Sequence, residues 1–149
     1  MKQKIFLLKD LKNRINKEKF KGKKVVLCHG VFDLLHVGHI KHLKKAKELG
    51  DKLVVTITSD RYVNKGPNRP VFNQNLRCES IAALEPVDYV AINDSPTAIN
   101  PIKLIKPNIY CKGKDYKNLS DDITGEIKNE IKEIKKINGK IFFTEELTF

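Results

Sequence analysis

Val25–Leu49 reads VVLCHGVFDLLHVGHIKHLKKAKEL, and the fold is decided here. Val25-Val26-Leu27-Cys28 is a short apolar run of the kind that makes a buried strand. Gly30 breaks the run, and Asp33, His36, Gly38 and His39 follow within ten residues. From about Gly38 the spacing turns helical. Ile40, Leu43 and Ala46 share one face, and Lys41, Lys44, Lys45, Lys47 and Glu48 take the others. Gly50 stands where a helix C-terminus favours it. A strand, a turn carrying two histidines and a helix start are the parts of a phosphate site. Helix N-termini offer unpaired N–H groups and the positive end of the dipole, and His36 and His39 add charge or hydrogen bonds there.

Downstream, Leu53–Thr58 is nearly continuous in apolar and β-branched residues, as in a strand buried on both faces of a parallel sheet. Strand, helix and strand make a βαβ unit, right-handed by rule. Ser59–Phe72 is a loop, because Gly66, Pro67 and Pro70 rule out regular structure; Arg61, Lys65 and Arg69 give it a positive face. Asn73–Leu84 returns to helix, with Leu76, Ile81 and Leu84 apolar and Arg77 near its start. Asp88–Ile92 reads as a third strand. Asp94–Thr97 reads as a turn and the cap of a short helix reaching about Ile105. Asn108–Cys111 is a fourth strand and Lys112–Tyr116 another loop. Ile123–Ile137 sets Ile127, Ile131 and Ile134 at helical spacing. Its charges, such as Glu126 with Glu130, are not complementary and read as a solvated face. Asn138-Gly139 turns the chain into a fifth strand, Lys140–Thr144. Upstream, Leu8, Leu11 and Ile15 are helically spaced. Residues 1–22 are therefore expected to be a lead-in helix, stopped at Gly22, packed on a domain of residues 23–149.

Alternating strands and helices give an α/β domain: a mainly parallel five-stranded sheet with helices on both faces. Ligands of such sheets sit beyond the carboxyl ends of the strands, where strand order reverses. The loops Gly30–His39, Ser59–Phe72 and Lys112–Tyr116 all follow strand ends.

The chain has 149 residues, enough for one domain with a real core. With 40% hydrophobic and 32% charged residues it reads as soluble and globular. The net charge of +11 is spread along the chain and is mostly lysine; no arginine-plus-aromatic surface points to nucleic acid, and no apolar run is long enough for a membrane. Neither nucleic acid nor membrane is expected as a partner. The apolar run near the N-terminus is too short for a signal peptide. Cys28, Cys78 and Cys111 are an odd set without CxxC, which favours reduced thiols and a cytoplasmic location.

There is no GxxxxGK[ST], GxGxxG or CxxC, so phosphate handling falls to the histidine turn. His29, His36, His39 and His42 also admit a metal reading, but no metal ligand is assigned. His42 lies one helical turn past His39 and is expected to pack or face solvent. Cys28 and Cys111 are expected to be inert core thiols. Asp33 either touches substrate or orients a histidine or a backbone turn. Lys65 is a functional or a plain surface lysine, and Asp115 and Tyr116 bind ligand or simply close a loop.

Gly30-Val31-Phe32-Asp33 followed by His36-Val37-Gly38-His39 resembles the GxFD…HxGH signature of the cytidylyltransferase-like nucleotidyltransferases. The resemblance covers about Lys24 to Thr148 and implies a Rossmann-like domain. Four stretches, Leu49–Asp60, Lys65–Arg77, Leu84–Val90 and Lys106–Tyr116, resemble the nucleotidyltransferase domain of the bacterial ADP-heptose synthase type. That type transfers a nucleotidyl group to a sugar 1-phosphate and is often fused to, or partnered with, a ribokinase-type sugar kinase. Glycerol-3-phosphate cytidylyltransferases share the GxFDLLHxGH stretch and remain an alternative, as does a non-catalytic nucleotide-binding module. Two departures stand out. Val31 replaces the threonine or cysteine of many relatives. The chain also reaches only the start of the Ser/Thr-rich turn that closes the family's nucleotide site, so a C-terminally shortened domain is expected, with Thr144 and Thr148 in that region.

The resemblance implies attack by a substrate phosphate on the α-phosphorus of ATP or CTP, with pyrophosphate leaving and Mg²⁺ bridging phosphate oxygens. It assigns catalysis to His36, His39 and Lys65. It assigns nucleotide binding to Gly30, Val31, Phe32, Asp33, Gly38, Arg77, Lys112, Gly113, Asp115 and Thr144. Homodimerisation is implied as well.

Overall fold

Apolar runs alternating with amphipathic segments build a three-layer α/β domain. The computed structural model describes residues 2–63, 66–113 and 126–144. Helix α1 (Leu8–Phe20) leads in, followed by β1 (Val25–Gly30), α2 (Val37–Glu48), β2 (Lys52–Thr58), α3 (Gln74–Ala82), β3 (Tyr89–Asn93), α4 (Ile99–Ile105), β4 (Ile109–Gly113), α5 (Glu126–Lys136) and β5 (Lys140–Thr144). All four strand pairings are parallel, in the order β3-β2-β1-β4-β5. The chain steps outward from β1 to β3, then returns to the other side of β1 for β4 and β5. Strand order thus reverses between β1 and β4, and the crevice beyond their carboxyl ends is where such sheets hold ligands.

Both faces of β1 are buried, so its residues divide by parity. Val26 and Cys28 pack with Leu43, Ala46, Val55 and Ile81 beneath α2 and α3. Val25 and Leu27 pack with Leu11, Ile15, Val54, Ile102, Tyr110 and Ile134 beneath α1, α4 and α5. Leu43, fully buried, fastens α2 to the sheet; truncation to alanine costs about 2–5 kcal/mol. Gly50 is required by space, since a Cβ there would lie 2.8 Å from Val26 Cγ2 and 2.9 Å from the Lys24 carbonyl.

Three details differ from the sequence expectation. Ile5 is not helical; it forms an isolated parallel bridge to Val90. In α3 the buried face is Arg77, Cys78, Ile81 and Ala82, and Leu76 is exposed. The Asn73 side chain caps the Leu76 N–H at 2.9 Å, which fixes where the helix starts and hence its phase. In α5 the buried stripe is Ile127, Glu130 and Ile134. Glu130 is therefore not part of a solvated face. Its carboxylate accepts from the Tyr110 hydroxyl at 2.6 Å and from Lys112 Nζ at 3.0 Å.

Candidate functional site

The turn after β1 is built around Gly30 and Phe32. Phe32 takes φ +51°, a left-handed conformation rare for a bulky residue. Its ring folds back over Gly30, where a Cβ would meet the ring at 2.9 Å. The buried ring then meets His39 edge-on, with centroids 5.7 Å apart. The Gly-x-Phe pattern thus works as one device that seats a histidine.

Helix α2 starts at His36, whose extended backbone makes it the N-cap. Its Nδ1 accepts from the Gly38 N–H at 3.0 Å, and His39 Nδ1 accepts from the His36 N–H at 3.3 Å. This is a reciprocal capping box in which two imidazoles replace the usual hydroxyl and carboxylate. The rings lie 4.0 Å apart, centroid to centroid. A nitrogen that accepts from a backbone N–H carries no proton of its own. In their neutral forms both rings therefore hold the proton on Nε2. Two adjacent Nε2–H donors stand at the positive end of the α2 dipole, next to the β1/β4 crevice. That arrangement can donate to anionic oxygens.

Asp33 is taken up by the loop that follows β2. Its carboxylate accepts from the Val71 N–H at 2.8 Å, the Phe72 N–H at 2.9 Å and Arg69 at 3.2 Å. It clasps the 59–72 loop to the histidine turn, which is the backbone-orienting alternative. Burial raises the Asp33 pKa, but the Phe72 and Val71 N–H groups and the Arg69 guanidinium together hold it below the usual carboxylate value.

Arg77 departs most from expectation. The resemblance assigns it to nucleotide binding, yet its side chain is wholly buried. Nε donates to the Phe72 carbonyl at 2.9 Å, and Nη1 to the carbonyls of Val31 (2.9 Å) and Thr58 (2.7 Å). Nη2 pairs with Asp60 at 2.7 Å. The guanidinium fork ties the ends of β1 and β2 to the start of α3. Val31 joins through its carbonyl, so the loss of a threonine or cysteine side chain there leaves this tie intact. The positive face expected of the 59–72 loop is also reduced, because Arg61 pairs bidentately with Asp94 (2.8 and 2.7 Å) and Arg69 with Asp33.

The His29 ring is engaged by β2. Its ring nitrogens lie 2.9 Å from Thr56 Oγ1 and 3.3 Å from Thr58 Oγ1. Burial, with the nearby Lys112 charge, pushes its pKa down to about 3. Across the switch point, Gly113 and Thr144 are register partners at the ends of β4 and β5. Lys112 Nζ pairs with Glu130 at 3.0 Å, with its side chain only 10% exposed. The buried Thr144 hydroxyl lies 2.7 Å from His42 Nδ1. His42 therefore packs, and burial, then the charges of His39 and Lys112, lowers its pKa to about 4.

The structure thus brings Gly30, Phe32, His36, Gly38 and His39 together, with Thr144 joined to the same helix through His42. It turns Asp33, Arg77 and the Lys112 side chain to internal partners. Lys65 and Asp115, with Tyr116 and Thr148, lie outside the described residues. The His42–Thr144 pair had no local signal, since 102 positions separate its members. No helix among the described residues is long and apolar enough to cross a membrane.

Comparison with known proteins identifies relatives of the chain. Residues 27–146 match the profile of a family described as cytidylyltransferase-like. The chain is 44% identical over 121 residues to the bifunctional protein HldE of Aliarcobacter butzleri and 47% identical over 121 residues to that of Campylobacter fetus. Each alignment takes in 80% of this chain but 25% and 26% of those proteins, so the chain spans about a quarter of the length of these curated relatives. Among solved structures, the lipopolysaccharide core biosynthesis protein of Thermoplasma volcanium aligns with a TM-score of 0.68 at 29% identity, over 86% of this chain and 99% of that one. A pantoate-beta-alanine ligase from Francisella tularensis aligns with the same TM-score at 21% identity, over 97% of this chain and 67% of that one, which shows a common fold.

Proposed function

Because the chain belongs to the cytidylyltransferase-like family, we propose that it is a nucleotidyltransferase acting on a sugar phosphate. An oxygen of the acceptor phosphate bonds to the α-phosphorus of a nucleoside triphosphate. The α–β bridging P–O bond breaks, and its electrons leave with pyrophosphate. The attacking oxygen is already an anion, so no protein base is required. The work is alignment and stabilisation of charge on the phosphates.

The observation that carries this reading is the histidine cap of α2. Two Nε2–H donors, each fixed by a backbone bond at its Nδ1, stand together at a helix N-terminus beside the switch point. His36 and His39 are proposed to bind the phosphates there, with Lys65 and Asp115 completing the site. Gly113 and Thr144 are proposed to line the nucleotide side. Gly30–His39 holds one carboxylate, Asp33, and both of its oxygens accept from the 59–72 loop. Mg²⁺, a hard ion that takes oxygen ligands, is proposed to accompany the triphosphate.

Kinship with bifunctional HldE proteins, together with the stretches resembling the ADP-heptose synthase type, favours ATP as donor and a heptose 1-phosphate as acceptor. It also favours a fused or partner sugar kinase. The test is pyrophosphate release with ATP, CTP, GTP and UTP, each offered heptose 1-phosphate or glycerol 3-phosphate. Release is expected with ATP and the heptose, falling at least about 100-fold in His39→Ala, as when one oxyanion donor is removed. Release with CTP and glycerol 3-phosphate alone would replace the donor and acceptor named here. No release from any pair would overturn the transferase reading.

A further inference from the structure

Among the described residues, one cluster of reactive side chains lies apart from the phosphate donors and has no part in the proposed transfer. Cys28 on β1, Cys111 on β4 and His42 on α2 bring two sulfurs and an imidazole nitrogen within 4.8 Å of one another. The topology causes this. Continuing the β1–β4 register by one residue from Leu27–Tyr110 sets Cys28 level with Cys111, on the face covered by α2. His42 descends from that helix onto the pair.

The imidazole is held in one orientation. Thr144 Oγ1 donates to the Lys112 carbonyl at 3.4 Å and lies 2.7 Å from His42 Nδ1. The short bond holds the ring by Nδ1, and in the tautomer that carries the proton on Nδ1 the Nε2 lone pair is left to ligate. Metal-binding histidines are oriented in this way, with one nitrogen donating to a fixed partner and the other left to ligate.

We propose that Cys28, His42 and Cys111 form a binding site for one thiolate-preferring d¹⁰ cation, with Zn²⁺ as the leading candidate. Two sulfurs and one imidazole nitrogen supply three corners of a tetrahedron and leave the fourth to a water molecule. Mg²⁺ takes hard oxygen ligands and does not suit these donors. The site is thus separate from the metal that travels with a nucleotide, and it stands or falls independently of the transferase reading. Without the ion, the hydrogen bond to Cys111 and burial keep Cys28 protonated, while the Lys112 charge works in the opposite direction. Binding releases the thiol protons, and two thiolates neutralise a divalent ion. The bound ion ties β1, β4 and α2 together, and β5 through Thr144, directly beneath the helix that carries His36 and His39.

The experiment is a titration of the reduced full chain with Co²⁺, the spectroscopic stand-in for Zn²⁺, beside metal analysis of the protein as purified. Expected are one equivalent of bound Co²⁺, a thiolate-to-cobalt charge-transfer band, and loss of that band when Zn²⁺ is added. Cys28→Ser and Cys111→Ser should abolish the band. His42→Gln should weaken binding at least about 10-fold, and Thr144→Val about 10–100-fold, as for loss of an outer-shell partner. His36→Ala should leave the band unchanged. Circular dichroism checks each fold; if a serine variant does not fold, the half-buried His42→Gln carries the test. Absence of the band at excess Co²⁺ would overturn the proposal. So would a band that survives both serine substitutions or disappears in His36→Ala.

Discussion

Replacing Arg77 with methionine separates two accounts of one residue. A phosphate ligand can be removed with little effect on folding, whereas a buried clasp cannot. Methionine fills much of the volume but leaves three carbonyls and a carboxylate without their donor. The Thr58 carbonyl bond is fully buried, and stranding that acceptor costs about 1–3 kcal/mol. The Val31 and Phe72 carbonyls are partly buried and cost about 1 kcal/mol each. The Asp60 side chain is 41% exposed and rehydrates, so its share is that of a surface pair, about 0–1 kcal/mol. The total, about 3–6 kcal/mol, is a large fraction of the roughly 5–15 kcal/mol that holds a domain together. For a chain of this size the melting temperature should fall by about 6–24 °C, at about 2–4 °C per kcal/mol. Arg77→Lys, which keeps the charge but not the fork, should fall in between. Thermal melts and urea titrations read the effect directly. If Arg77→Met melts within about 3 °C of wild type yet no longer responds to nucleotide, the guanidinium faces phosphate in solution and the clasp argument is wrong.

Acid sensitivity should come from two histidines that are neutral in the fold. His29 and His42 have pKa values pushed down to about 3 and about 4, while the unfolded chain protonates both below about pH 6.5. Stability is therefore full above that pH and falls towards pH 4, by up to about 1.4 kcal/mol per pH unit for each histidine. His29→Gln should flatten the slope in melts taken at stepped pH; an unchanged slope would contradict a buried neutral His29. Asp33 adds a second decline below about pH 4, where its depressed pKa is crossed and the loop clasp loses its charge. Asp33→Asn should remove that decline and increase proteolysis within residues 59–72. Gly30→Ala should push the Phe32 ring off His39 and cost about 1–3 kcal/mol, as overpacking does; wild-type stability would mean the ring has room to move.

The fold was largely legible because its signals are local. The apolar runs at Val25–Cys28 and Leu53–Thr58 became central strands, and the helical spacing after Gly38 became α2. The turn chemistry was legible too, since Gly30, Phe32, His36 and His39 act within one turn of one another. What escaped the sequence is long-range pairing. Nothing near Glu130 announces Tyr110 and Lys112, and nothing near Arg77 announces that the carbonyls of Val31 and Thr58 converge on it. A charged residue in a helix looks the same in sequence whether it faces solvent or a buried partner. Cys28 and Cys111 likewise read as inert core thiols until the register of β1 and β4 sets them side by side beneath His42.

The most direct measurement of the central claim is nucleotide-induced thermal stabilisation of wild type, His36→Ala and His39→Ala with ATP, CTP, GTP and UTP, each with Mg²⁺. A ligand at a hundredfold excess over its Kd adds about 2.7 kcal/mol to the folded state. The account predicts that ATP gives this stabilisation in wild type and that either histidine substitution abolishes it, although each variant also melts lower for want of its helix cap. An equal ATP response in wild type and both variants, or no response to any nucleotide, would contradict a phosphate site at the histidine turn.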